Sequence, residues 1–249
     1  MGGLTKLGRS FLMDTEKELP SLSIRGTPRR CIMRSLRIVV IVMLLFVAEG
    51  CGGRVNYIPP SGAIPQERST YINASKDQVW KKIIPALSNS FFVINNLDKD
   101  SGLINVSYSG DPEKYVDCGY VESYVKNFRG ERKYFFPASK AHQIYEVMDT
   151  KRGALYRVDR KMNLDGRINI VIEEVGPERC KLSVNVKYVL TRSSTIRSSN
   201  GPVDNLSDAI SFTSGQKAQF PVGGGRGGTQ CQPTGKLEKE ILEILTASF

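Results

Sequence analysis

Leu155-Tyr-Arg-Val-Asp-Arg-Lys-Met-Asn-Leu164, Asp165-Gly166, Arg167-Ile-Asn-Ile-Val-Ile-Glu-Glu-Val175, Gly176-Pro-Glu-Arg179 and Cys180-Lys-Leu-Ser-Val-Asn-Val-Lys-Tyr-Val-Leu190 form the most regular run of the chain. Ile168, Ile170 and Ile172 alternate with Asn169 and Glu173. Cys180, Leu182, Val184, Val186 and Tyr188 alternate with Lys181, Ser183, Asn185 and Lys187. A side-chain period of two sends one set to a packed face and the other to water. With turn residues at 176–179, the run reads as an antiparallel meander with one wet face. Asp165-Gly166 reads as a further tight turn within it.

Two helical patterns flank this meander. Lys236-Leu-Glu-Lys-Glu-Ile-Leu-Glu-Ile-Leu245 places Leu237, Ile241, Leu242, Ile244 and Leu245 on one face, so it is expected to lie across the meander's packed side. Upstream, Tyr71–Ala74 reads as a short strand and Ser75-Lys-Asp-Gln78 as a capping box. Val79, Trp80, Ile83, Ile84 and Leu87 follow as an apolar helical face, with Trp80 as a core anchor and Pro85 predicting a kink or an early end. Phe91–Asn95 and Leu103–Tyr108 flank the polar turn at Asp98–Gly102 and read as a hairpin. Asp98, Lys99 and Asp100 lack the further ligands and closing Glu of a calcium loop. Together these predict an α+β fold, β-α-β-β-meander-α, with helices packed on one face of an antiparallel sheet.

Residues 120–150 are less regular, and Ala138–Met148 fits either a strand or a short helix. Tyr124, Phe128, Arg129, Arg132, Lys133, Tyr134, Phe135 and Phe136 mix aromatic rings with cations. Exposed, they would bind a headgroup, glycan or protein through stacking and cation–π contact; buried, they would be core and rim. Residues 193–234 are rich in Ser, Gly and Thr and read as a long mobile loop. Its Gly223-Gly-Gly-Arg-Gly-Gly228 run is followed by Thr229 and Gln230, without the Lys-Ser/Thr that closes a phosphate-binding loop.

The N-terminal region has a separate plan. Arg34 and Arg37 precede an apolar run from Ile38 to Ala48, then Glu49, Gly50 and Cys51. That run is about half of the ~20 residues a membrane-spanning helix needs, so it reads as a secretory signal. With a cysteine at the cut, Ala48-Glu-Gly-Cys51 resembles a bacterial lipobox, which implies cleavage before Cys51 and lipidation of its thiol. An ordinary signal cut near Gly50 and an uncleaved anchor are the alternatives. Residues 1–50 are thus expected to be a signal region, with translation starting at Met33 or residues 1–32 forming a long basic lead. Gly52–Thr70, with Pro59, Pro60 and Pro65, is expected to be a flexible tether reaching on the order of 60 Å, and 71–249 a single domain.

The chain holds 35 Lys/Arg against 25 Asp/Glu. The first fifty residues take 8 and 4 of these, leaving 27 and 21, a net of about +6. That suits a protein near anionic headgroups. No basic stripe with interleaved aromatics points to nucleic acid. Of Cys118, Cys180 and Cys231, the first and last lie in turn-like contexts and are expected to pair, while Cys180 enters a strand as a buried free thiol. No C-x-x-C exists and His142 is the only histidine, so no metal, cofactor or general base is expected and the chain reads as non-enzymatic.

Asp77-Gln-Val-Trp80 through Gly102-Leu-Ile-Asn-Val-Ser-Tyr108 resembles the repeat of the NlpB/BamC-type lipoproteins over about 40 residues. The resemblance implies a helix-grip domain and a place in an outer-membrane assembly complex. Gly52, rather than Asp, after the cysteine resembles lipoproteins sorted to the outer membrane. The expected function is therefore a lipid-anchored, periplasm-facing interaction subunit of an envelope assembly or secretion complex. The alternative is a lipid or small-ligand binder using a helix–sheet cleft. An inner-membrane anchor or a free periplasmic state are the alternative locations.

Overall fold

A computed structural model describes residues 52–199, 201, 203–221, 228–247 and 249. The signal region, Cys51 with its expected lipid, and most of the glycine run (223–227) lie outside them. The chain is mainly β: strands take 59% of the described residues and helices 13%, in three antiparallel sheets. This overturns the expected α+β, helix-grip arrangement. The two expected helices are present, but segments without a clear period, at 52–58, 120–149 and the described part of 193–233, are largely strand.

The large sheet is built on β9 (Ala154–Gly176) and β10 (Arg179–Ser198), paired over almost their whole length. At about 3.3 Å per residue, β9 is roughly 75 Å long. On its other side it pairs first with β8 (His142–Asp149) and then with β4 (Leu103–Gly110), which carries β3 (Val93–Asp98) as an edge. The free side of β10 takes β2 (Ser69–Ile72) near its start and β11 (Val203–Thr213) beyond. The alternation at 168–188 is observed: Ile168, Ile170, Ile172, Cys180, Leu182, Val184, Val186 and Tyr188 are buried.

Asp165-Gly166 is not a turn. β9 runs through it with Tyr108 on one side and Tyr188 on the other, and two complete ladders outweigh one local turn preference. Gly166 serves a close approach, since a methyl there would lie 3.4 Å from Leu237 Cδ2. Leu237 belongs to α2 (Lys236–Thr246), which buries Leu237, Ile241, Leu245 and also Glu238. The Glu238 carboxylate accepts from the Tyr188 hydroxyl at 2.7 Å and the Ser214 hydroxyl at 2.6 Å. Burial, and that carboxylate, push the Tyr188 hydroxyl far above its ordinary value. A buried carboxylate with two hydroxyl donors is tolerated where an unpaired one is not.

The other helix, α1 (Lys76–Ser88), starts on the expected Ser75/Gln78 capping box and buries Val79, Ile83 and Leu87. It runs three residues past Pro85. Trp80 is only partly buried, packed at the edge of the core.

Residues 52–58 are a strand, not a tether. β1 (Gly52–Ile58) pairs with β6 (Tyr120–Asn127), which pairs with β7 (Gly130–Pro137) to make a second sheet. Gly53 permits this, because a Cβ there would lie 2.4 Å from Met148 Cβ on β8. The described residues of the expected mobile loop at 193–234 are also mostly strand, in the end of β10, β11, β12 (Ala218–Gln219) and β13 (Gln230–Pro233). Its Ser and Thr side chains bond across the ladder, as Thr195 does to Asn205 at 2.9 Å. β12, β13 and β5 (Val116–Asp117) form the third sheet. Cys118 and Cys231 are disulfide-bonded there, and Cys180 is free and buried.

Candidate interaction face

The aromatic–basic residues sit on the β1-β6-β7 sheet, and the strand period divides them between its two faces. Val55, Tyr57, Val121, Ser123, Val125, Arg132, Tyr134 and Phe136 point inward. Tyr57 closes the sheet onto the disulfide: its hydroxyl lies 3.1 Å from the Cys118 carbonyl and accepts from the Gln230 N–H at 2.8 Å. Ser123 donates to the Glu146 carbonyl of β8, and Arg132 is ion-paired with the Glu146 carboxylate.

Phe136 is buried, with the Tyr145 ring 5.0 Å away and the Arg160 guanidinium 5.2 Å from its centroid. Arg160 is itself buried, and its Nε has no hydrogen-bond partner. Among the described residues it makes one long hydrogen bond, from Nη2 to the Pro137 carbonyl at 3.5 Å. Burial holds this guanidinium below its ordinary value and pushes the Tyr145 hydroxyl up. Arg192, nearby on β10, is neutralised by a two-point bond to Asp208 and lies 4.4 Å over the Phe220 ring.

Tyr124, Lys133 and Phe135 point outward. Phe135 is 66% exposed and stacks on Tyr120 with centroids 5.1 Å apart and planes within 3°. Ile58, on β1 beside Tyr120, is also exposed. An apolar patch of two stacked rings and one aliphatic side chain therefore lies in the open. Arg54–Glu122 and Lys126–Glu131 ion pairs continue the same face toward the hairpin tip, and Lys133 sits over Tyr124. Phe128 and Arg129 are at the tip itself, away from the patch. The eight residues are thus three places: a patch with Phe135, a tip with Phe128 and Arg129, and an interior with Phe136. Sequence reading missed Tyr120 and Ile58, although Tyr120 and Tyr124 share one phase of β6.

Such a patch recognises by contact area and stacking, with charged rims that set orientation. Other sites are less developed. His142 is exposed and hydrogen-bonded to Asp159 at 2.9 Å. Asp98 accepts from the Asp100 and Ser101 amides as a polar turn. Among the described residues no three His, Cys, Asp or Glu side chains could jointly hold a metal ion, and no helix is long and apolar enough to cross a membrane. A depression of about 310 Å³ beside α2 is lined by Glu67, Lys236, Lys239 and Glu243 among others and opens to solvent. No protein-family model, curated protein or solved structure matches the chain.

Proposed function

We propose that the chain is a lipid-anchored protein of the outer membrane, facing the periplasm, and a non-catalytic interaction subunit of an envelope assembly or secretion complex. The anchor follows from the basic, apolar and small-residue order that ends at Cys51. The binding role rests on one observation: the stacked, solvent-exposed Tyr120–Phe135 pair beside Ile58, held on the β1-β6-β7 sheet. Exposed aromatic pairs gain little in water and several kcal/mol when a partner covers them, at roughly 25 cal/mol per Å².

The test is capture of the tagged protein from membranes in mild detergent. Phe135→Asp with Tyr120→Ser is expected to reduce the captured protein partner at least about tenfold, with an unchanged thermal midpoint. Undiminished capture by that folded variant contradicts the patch as the binding face. Acylation is read separately, by mass spectrometry of the peptide that carries Cys51.

A further inference from the structure

β1 starts at the end of the molecule where three turns meet. Gly52 is opposite Lys126, next to the β6–β7 turn at 127–130. Gly53 rests on Met148, next to the β8–β9 turn at 150–153. The Ser199 N–H, where β10 turns toward β11, donates to the Leu155 carbonyl just inside β9. Nothing in the local sequence requires these three turns and the strand after Cys51 to share one end; the sheet topology brings them together.

The turns carry an unusual set of side chains. Phe128 is 90% exposed, with Arg129 5.4 Å from its ring centroid. Lys151 and Arg152 are exposed on the β8–β9 turn, and Arg157 and Arg197 are exposed opposite each other on the adjoining ends of β9 and β10. The acidic groups here are Glu131, paired with Lys126, Asp149, 3.9 Å from Arg152, Glu146, opposite Arg157 and ion-paired with Arg132, and Asp204. A bare phenylalanine at a hairpin tip gains nothing from water. It is well suited to the boundary of acyl chains and headgroups, with cations at the level of the phosphates.

We propose that this end is a membrane-contact surface for anionic phospholipid headgroups: Phe128 enters the interface while Arg129, Lys151 and Arg152 meet lipid phosphates. The proposal rests on the reading of Cys51 as acylated, because one residue of chain, about 4 Å, then separates the anchor from Gly52. With β1 folded into the sheet, no slack remains to lift this end from the bilayer. The domain stands on its tips, with the β9–β10 turn at Gly176–Arg179 roughly 75 Å away along the strand.

Tryptophan quenching by brominated phospholipid tests it on the full chain purified from membranes and returned to vesicles containing phosphatidylglycerol. Phe128→Trp adds a reporter at the tip and Val175→Trp one at the far end of β9, each read as the increment over the parent emission. About half of the Trp emission added at 128 is expected to be quenched and almost none of that added at 175. For protein carrying Cys51→Ser, which has no acyl chain to hold the tip at the bilayer, the effect at 128 is expected to persist with phosphatidylglycerol and to fall severalfold in vesicles of phosphatidylcholine alone. Acylated, vesicle-bound protein with no quenching at 128, or equal quenching at both positions, overturns the surface and leaves the anchor standing. Quenching at 128 with unmodified Cys51 supports the surface and overturns the anchor. Unmodified Cys51 without quenching defeats both.

Discussion

The Arg160 guanidinium lies against the Phe136 face with no carboxylate partner among the described residues and its Nε unsatisfied. Desolvating a cation costs several kcal/mol even after relaxation, whereas a desolvated cation–π contact returns about 2 kcal/mol. The cost wins. Arg160→Met, which keeps the volume and loses the charge, is expected to raise stability by roughly 1–3 kcal/mol in urea unfolding; a loss of that size would mean the guanidinium has a partner that outweighs its burial. The anomaly was legible in the chain. Val158, Met162 and Leu164 share one phase of the strand, and Arg160 interrupts it. The alternation correctly placed Ile168 to Tyr188, because there each strand has one buried and one wet face. It was silent about Tyr120 and Phe135, which are apolar residues on the wet face, and a period cannot tell an exposed ring from a packed one.

At the scale of elements, α2 is held by its charges as well as by its apolar face. Lys114 and the Tyr115 hydroxyl each reach the Glu240 carboxylate at 2.8 Å. Burial alone would raise the Glu240 carboxyl, but those two donors hold it below its ordinary 4.5. Tyr115, pushed up to about 12 by burial and by Glu240, stays a donor through neutral pH. A carboxyl lowered in the folded state contributes stability above its unfolded value and loses it as pH falls through the folded one. Glu240→Gln should therefore lower the unfolding free energy read from urea titration at pH 7, by about 1 kcal/mol or less after solvent screening, and match the parent once the pH is well below 4.5. A gap that persists in acid would assign the loss to packing. Gly166→Val probes the apolar side of the same helix. It drives a branched side chain into Leu237 and is expected to cost roughly 1–3 kcal/mol in the same assay. Both helices, the capping box and the β3–β4 hairpin were readable because their signals are local. The turn expected at Asp165-Gly166 failed because the deciding partners, Tyr108, Tyr188 and Leu237, are distant in sequence.

For the whole molecule, the expected fold class gave way because pairing partners are not written in composition. A Ser- and Thr-rich segment resembles a loop until β10 and β11 lie side by side over eleven register pairs, and a Gly-Gly start resembles a tether until Met148 lies under it. The disulfide ties these late segments to earlier ones across 113 residues of sequence. Reduction is expected to lower stability by about 2–5 kcal/mol, read as a fall in the urea midpoint with reductant. The anchored reading turns on the first strand: residues 52–58 either belong to the fold, fixing which end faces the bilayer, or swing free. Amide hydrogen exchange of the full chain decides this most directly. The ladder with β6 predicts that the alternate amides of 52–58 that donate across it exchange at least about a hundredfold more slowly than an unstructured chain. Complete exchange of 52–58 within the first seconds would return these residues to a tether and remove the basis for the membrane-facing end.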